Sequence, residues 1–175
     1  LFEKKNLPFY KFGDAIYLAK IETKYWIEYI CKRFENTGKH ISPELAEEIC
    51  RLVDNHSSYV QQLSWLLWIR TINTATTEQL SYALEDLLDQ NNILFQSETE
   101  NLSAYQMNFL KAIVDGIHTK FSSKEVISKY NLGTSANIVR LKNALLQKEL
   151  IETNGKEIVL ADPVFGVWFK KEMLY

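Results

Sequence analysis

Apolar side chains recur every three or four positions through most of this chain, a period that is typical of helices with one buried face. Capping residues mark where several of these helices begin, among them Thr23 and a capping box formed by Thr76 with Gln79. The third apolar stretch is hydrophobic on most sides, which predicts a central position in its bundle. The helices predicted for the first half are residues 24–35, a helix opened by Ser42-Pro43, residues 58–72 and residues 77–90.

The second half has three further helical stretches, each preceded by a residue that can cap it. Gly133 separates the second of these helices from the third and is expected to make the turn between them. The third helix is predicted to run to about Glu149. The predicted caps are Ser103 with Gln106, Ser122 with Glu125, and Thr134 or Ser135.

A β-hairpin is predicted after these helices, because Asn154-Gly155 lies between two short apolar stretches. With these two residues as a type I′ turn, Ile151 faces Ile158 on the buried side. Glu152 then faces Glu157 on the solvent side, where two like charges are tolerable only in water.

The last helix is predicted to begin at Asp162-Pro163, with Asp162 as the N-cap. Three helices, a hairpin and a final helix are the element order of a winged helix-turn-helix. We therefore predict a mainly α fold with a small β-hairpin. It consists of a helical bundle over residues 1–95, a polar linker over residues 96–102 and a winged helix-turn-helix over residues 103–175.

Composition agrees with a globular protein, since 46% of the 175 residues are hydrophobic and only three are proline. No apolar run approaches the roughly 20 residues that a membrane helix needs, and no signal peptide is visible, so we expect a cytoplasmic protein. Cys31 and Cys50 lie among apolar neighbours and are predicted to be free thiols. The chain begins at Leu1, which we interpret as a sign that it is part of a longer protein.

Charge differs between the two halves. Residues 103–175 hold ten Lys/Arg against seven Asp/Glu, a net charge of +3, whereas residues 1–102 hold ten against fifteen, a net charge of −5. A basic module is suited to DNA, although three net charges are few for a duplex binder. Arg, Asn and Gln side chains can contact base edges by paired hydrogen bonds. The DNA-binding candidates on the helix after Gly133 and in the wing are Asn137, Arg140, Lys142, Asn143, Gln147 and Lys156.

Two observations argue against DNA binding, so both interpretations are kept. A helix face with these residues also resembles an ordinary solvated face, and the wing carries Glu152 and Glu157 beside a single lysine, Lys156. We find no catalytic constellation, no metal-ligand spacing around His40, His56 or His118, and no Gly-rich phosphate-binding motif. On its own, the chain is expected to hydrolyse nothing and to hold no cofactor.

Several pieces of the sequence, taken in order, resemble the C-terminal half of the prokaryotic AAA+/STAND-type ATPases, also called archaeal-type ATPases. The ending Asp162-Pro163-Val164-Phe165 with Trp168 is the most specific piece, and the resemblance covers essentially the whole chain. The other pieces are residues 7–10, 16–18, 26–30 with Phe34, 56–63 and 92–95, with Leu102 and Gln106.

By this resemblance the first part of the chain would be the helical lid and the second part the winged helix. The nucleotide-binding α/β domain, with its ATP and Mg²⁺, would lie upstream in the same protein. The turn His56-Ser57-Ser58 would be the part of the lid nearest to nucleotide, although the family often has a proline where this chain has Ser-Ser. Arg51 and Arg70 are candidates for a sensor arginine by charge alone.

The resemblance implies that the winged helix is an output arm that binds double-stranded DNA or a protein. The main alternative is a stand-alone winged-helix transcription regulator whose N-terminal bundle senses a ligand or dimerises. A third interpretation makes the winged helix purely a protein-interaction arm. A GxxxxGK(S/T) motif about one α/β domain upstream of Leu1 would distinguish the first from the second.

Overall fold

The computed structural model describes residues 19–174. The motif pieces at residues 7–10 and 16–18 therefore lie outside the described residues. Within the described range the fold is mainly helical with one small antiparallel sheet, as predicted. The elements are α1 Thr23–Glu35, α2 Pro43–Leu52, α3 Ser57–Arg70, α4 Thr77–Glu100, α5 Ala104–Val114, α6 Lys124–Tyr130, α7 Ser135–Gln147, β1 Ile151–Asn154, β2 Glu157–Leu160 and α8 Pro163–Leu174.

Helices α1 to α4 form a bundle around a continuous apolar core. Two of the predicted caps are confirmed here. The Ser42 hydroxyl accepts a hydrogen bond from the backbone N–H of Leu45, and Thr76 with Gln79 forms the reciprocal capping box. The largest completely buried side chains of the bundle are Phe34, Ile30, Ile49, Leu63, Leu67, Leu80 and Leu87.

The predicted cap of α1 is wrong, whereas α3 is central to the bundle, as predicted, because it contacts α1, α2 and α4. Thr23 is the first residue of α1 rather than its cap, and the N-cap Glu22 makes no side-chain capping bond. Helix α3 ends at Arg70 rather than at residue 72, and its outer side is open to solvent, since Trp65 and Ile69 are 57% and 51% exposed. Their exposure creates an apolar outer face on the bundle.

The fourth helix does not end near Gln90 but continues to Glu100, so residues 96–100 of the predicted linker are helical. Polarity alone suggested a boundary there, yet the segment contains no glycine or proline to stop a helix. Phe95 and Thr99 are buried, and this packing holds the added turns in place. Helix α4 therefore extends from the bundle into the second half of the molecule.

Helices α5 to α8 and the hairpin form the second half. The capping box of Ser103 with Gln106 is confirmed. The next cap is Ser123 rather than Ser122, because Ser123 accepts the bond from the backbone N–H of Val126. The rings of Phe109 and Phe121 stack with their centroids 4.4 Å apart in the core of this half. Thr134 stands at the N-cap of α7 without a side-chain bond, and α7 ends at Gln147 rather than Glu149.

The hairpin has a different register from the predicted one. Asn154 pairs with Glu157, so the turn residues are Gly155 and Lys156. Gly155 has a φ of +60° and its neighbours do not have positive φ, which is typical of a type II′ turn. A shift of two residues leaves Ile151 and Ile158 on one buried face in both registers, so the apolar pattern could not distinguish them.

His118 is attached to the sheet by its backbone and its side chain. Its carbonyl accepts a hydrogen bond from the Ile158 amide, and its Nδ1 lies 3.1 Å from the Ile158 carbonyl oxygen. The segment around His118 therefore contacts β2 through these two interactions. None of the helices in residues 19–174 is long and apolar enough to cross a membrane.

Candidate functional site

Helices α6 and α7 form the helix-turn-helix of the second half. The turn contains Asn131 with a φ of +49° and Gly133 with a φ of +84°, and Leu132 between them is completely buried. A Cβ atom at Gly133 would lie 3.2 Å from Asn137 Nδ2 and 3.4 Å from the Tyr105 ring, so the turn requires glycine for space as well as for backbone conformation.

Asn137, one of the predicted DNA contacts, stabilises this turn instead of facing outward. Its side-chain amide donates a hydrogen bond to the Leu132 carbonyl oxygen at 3.0 Å, and the residue is half-buried. A side chain held in this way is poorly placed to contact a base edge. The predicted surface therefore begins one turn later on α7.

Three of the predicted contact residues share one exposed face of α7. Arg140, Asn143 and Gln147 are all exposed, and their spacing of three and four residues places them in one row. The opposite face holds Ile138, Leu141 and Leu145, which are buried. Lys142 is half-buried at the edge of this face, and Lys156 is exposed in the turn of the wing. We call Arg140, Asn143 and Gln147 the α7 face.

The two glutamates of the wing are arranged differently from the predicted register. Glu152 faces Val159, and Glu157 faces Asn154, so the two carboxylates are not directly opposite each other. Both remain exposed, and Lys156 lies in the turn next to Glu157. The two like charges are therefore diagonal neighbours and repel each other less than a directly facing pair would.

A second functional feature is the contact between the bundle and α8, where Asp162 has a central position. Its Oδ1 accepts hydrogen bonds from the backbone N–H groups of Val164 and Phe165 at 2.7 and 3.0 Å, which confirms the predicted N-cap. Its Oδ2 accepts a further bond from the Tyr59 hydroxyl on α3 at 2.6 Å. One carboxylate thus caps α8 and ties it to the bundle.

Trp168 makes the next contact along α8. Its indole Nε1 donates a hydrogen bond to Asn92 Oδ1 on α4 at 2.9 Å, over 76 residues of sequence. Phe95, one turn further along α4, packs with its ring centroid 5.5 Å from that of Phe165 and 5.6 Å from that of Trp168. The residues Asp162, Phe165 and Trp168 of the most specific sequence motif therefore all serve to dock α8 on the bundle. We call this contact the α8 interface.

Buried acidic groups make the α8 interface electrostatically unusual. Burial raises the pKa of the Tyr59 hydroxyl well above its usual range, and the hydrogen bond to Asp162 raises it further. Burial also raises the pKa of the Glu98 carboxyl, with a second contribution from the negative charge of Asp162. The proximity of Tyr59 and Glu98 to Asp162 was not predictable from the sequence, because no local pattern links them to a helix cap in the other half.

The turn predicted to approach nucleotide lies next to this interface. His56 is the N-cap of α3 without a side-chain capping bond, and its ring centroid is 4.8 Å from that of Tyr59. Its Nδ1 is buried and has no hydrogen-bond partner among the described residues. Ser57 and Ser58 are exposed, and Ser58 Oγ accepts a bond from Gln62. The approach of nucleotide to this turn stays a prediction.

The remaining candidates are engaged in local contacts. Arg51 forms an ion pair with Glu48, and Arg70 forms one with Asp86. Cys31 and Cys50 are both free, which confirms the prediction, and burial raises the pKa of Cys50 to about 11. Residues 19–174 contain no cluster of three or more His, Cys, Asp or Glu that could hold a metal ion.

Comparisons with known proteins support the fold. Residues 93–171 match a family described as "Probable winged helix domain". No curated protein matches the chain. Among solved structures, the fold is similar to that of a Walker-type ATPase of Pyrococcus abyssi, with a TM-score of 0.64 and 18% identity. The match covers 86% of this chain and 42% of that one, so the chain spans less than half of its length. Residues 93–171 are therefore a winged helix domain, and with the bundle they share the fold of part of a Walker-type ATPase.

Proposed function

We propose that this chain is the lid-like and winged-helix part of an AAA+/STAND-type ATPase, and that its winged helix is the output arm, which binds double-stranded DNA through the α7 face. The observation that carries the proposal is the joint arrangement of the bundle and the winged helix. The same arrangement over 86% of this chain matches the Walker-type ATPase. The resemblance of the ending Asp162-Pro163-Val164-Phe165 with Trp168 to AAA+/STAND-type ATPases supports the same assignment.

In this proposal ATP and Mg²⁺ bind to an α/β domain upstream of Leu1 and supply the energy. The residues of this chain transmit a change in the angle of the bundle to the winged helix. Helix α4 belongs to the bundle and reaches the winged helix, and the α8 interface adds a second connection. A tilt of the bundle would therefore move the α7 face as a rigid body. The turn His56-Ser57-Ser58 is proposed as the part that senses nucleotide, because it directly precedes Tyr59.

Duplex DNA suits the α7 face because its three side chains can hydrogen-bond to base edges and phosphates. Arg140 is the central cation, with Lys142 and Lys156 at the flank and in the wing. About three phosphate contacts would give a slope of about −3 in a plot of log affinity against log salt. The winged helix would therefore bind duplex DNA weakly and in a salt-dependent way. Its affinity would rise when several copies bind the same DNA together.

The DNA proposal is tested by fluorescence anisotropy with a labelled 20-base-pair duplex and the full chain, from 20 to 200 mM salt. Arg140→Ala is expected to weaken binding about tenfold and to reduce the salt slope by about one. Lys171→Ala removes an exposed cation of α8 and serves as the matched control, with an unchanged affinity. If no salt-dependent binding is measurable for the unaltered chain, the winged helix is a protein-interaction arm instead.

The ATPase proposal has a separate test. The gene region upstream of Leu1 is expected to encode GxxxxGK(S/T) within roughly one α/β domain. A protein expressed with that region should hydrolyse ATP in the presence of Mg²⁺, and changing the motif lysine to alanine should abolish the activity. DNA binding in a protein that lacks such a region would favour the stand-alone transcription regulator.

A further inference from the structure

A groove of about 450 Å³ lies between α1 and α3 on the outside of the bundle. Tyr29 and Arg33 of α1 form one wall, and Trp65 and Trp68 of α3 form the other. Trp65 and Trp68 lie on the side of α3 that is turned away from Tyr59, whose hydroxyl contacts Asp162 at the α8 interface. The groove is therefore separate from both the α7 face and the α8 interface.

The walls of the groove are aromatic and open to solvent. Tyr29 is 42% exposed and Trp65 is 57% exposed, and Tyr25 and Ile69 extend the same apolar surface along the two helices. Exposed aromatic residues that gather around one groove mark an interaction site more often than singly scattered ones do. The volume lies within the range of about 300–1,000 Å³ that binding pockets usually have.

Arg33 is the one charged side chain among the described residues that line the groove, although residues 1–102 carry a net charge of −5. Helix α3 contains no Asp or Glu at all. Arg33 lies against the Tyr29 ring, with its guanidinium carbon 5.3 Å from the ring centroid, and remains exposed. Lys39 Nζ lies 4.0 Å above the ring of Trp68, so a second cation borders the groove. An apolar ligand with carboxylates would complement this surface.

We propose that the groove between α1 and α3 binds a short acidic, amphipathic segment of a partner protein. An apolar side chain of the segment inserts between Tyr29 and Trp65, and its carboxylates pair with Arg33 and Lys39. A single-stranded nucleic acid fits less well, because its phosphates would need a longer row of cations than this groove offers. The groove would thus recognise the segment in two ways, by burying its apolar anchor residue and by charge complementarity at the rim of the groove.

The test uses the full chain and two fluorescein-labelled 14-residue peptides that share Leu and Phe at helical spacing. One has Glu and Asp at the remaining positions, and the other has Lys and Arg. The acidic peptide is expected to bind in the micromolar range at 50 mM salt and to change the tryptophan fluorescence, whereas the basic peptide does not bind. Arg33→Glu and Trp65→Ala should each weaken binding at least about tenfold.

Lys171→Glu makes the same charge change as Arg33→Glu at an exposed site on α8 and is the matched control, with unchanged affinity. Far-UV circular dichroism confirms that each variant is folded. Equal binding of both peptides, no binding up to millimolar concentration, or an affinity that Arg33→Glu leaves unchanged would overturn the proposal. A dimer that Trp65→Ala dissociates, without peptide binding, would also overturn it. These results do not depend on DNA binding by the α7 face.

Discussion

The carboxylate of Asp162 accepts hydrogen bonds from two backbone amides of α8 and from the hydroxyl of Tyr59. The two amide bonds are local and follow from the Asp-Pro sequence, since aspartate before proline is a typical helix start. The bond from Tyr59 joins residues 103 positions apart. The sequence could therefore predict that Asp162 caps a helix but not that it also holds two halves of the molecule together.

Tyr59→Phe keeps the aromatic ring and removes only the hydroxyl that donates to Asp162. We expect a loss of about 1–2 kcal/mol in the free energy of unfolding, because the acceptor is charged and partly buried. The measurement is urea denaturation followed by circular dichroism. Tyr25→Phe, which removes an exposed hydroxyl, is the control and should leave stability unchanged. Equal stability of both variants would show that the bond to Asp162 contributes little.

Glu98 is expected to make stability depend on pH. Its pKa in the folded protein is raised above the ordinary value of 4.5, first by burial and then by the charge of Asp162. The folded state then binds a proton more tightly than the unfolded state does. The contribution of Glu98 to the stability of the folded state is therefore present below about pH 4.5, and it is lost as the pH rises through the pKa of the folded state.

Glu98→Gln removes this titration while keeping a similar shape. The gain in stability of Glu98→Gln over the unaltered chain should be larger at pH 7 than at pH 4, as measured by urea denaturation at both values. Glu100→Gln, at an exposed position near the end of α4, is the control. A gain of the same size at both pH values would contradict the raised pKa.

At the scale of elements, the helix starts were the most predictable features. Thr76 with Gln79 and Ser103 with Gln106 both form the predicted boxes, because such caps depend on residues only three positions apart. The end of α4 was not predictable in this way. Its last turns are polar in sequence and are held by Phe95, whose partners Phe165 and Trp168 lie in the other half.

Two helix caps provide a matched pair of substitutions. Ser103→Ala removes a side-chain bond to the backbone N–H of Gln106 and should cost about 1 kcal/mol of unfolding free energy. Thr134→Ala changes an N-cap that makes no side-chain bond, so it should cost less than about half as much. Thermal and urea unfolding of both variants would measure the difference. A larger loss for Thr134→Ala would contradict the observed cap geometry.

At the scale of the whole molecule, α4 and the α8 interface connect the bundle to the winged helix. The sequence predicted two modules joined by a polar linker, but residues 96–100 of that linker are helical and Phe95 just before them is buried. A shared helix and a buried contact usually make two parts unfold together. This rigidity is what the proposed output arm requires.

Asn92→Ala tests the connection between the two parts. It leaves the buried Nε1 of Trp168 without its acceptor, which should cost about 1–2 kcal/mol. Tryptophan fluorescence and far-UV circular dichroism should give one coincident urea transition, shifted to lower urea in both signals. Asn143→Ala on the exposed α7 face is the control for stability. Two separate transitions in the unaltered chain would show that the parts unfold independently.

The sequence was enough to predict the mainly helical fold, the element order of the winged helix and most of the helix starts, because these depend on periodicity and on contacts over three or four residues. It also placed Ile151 and Ile158 on one face of the hairpin, since both registers preserve that alternation. The hairpin register, the length of α4 and the partners of Asp162 and Trp168 became visible in the folded chain alone. Each of these depends on side chains far apart in the chain, whose packing outweighs local preference.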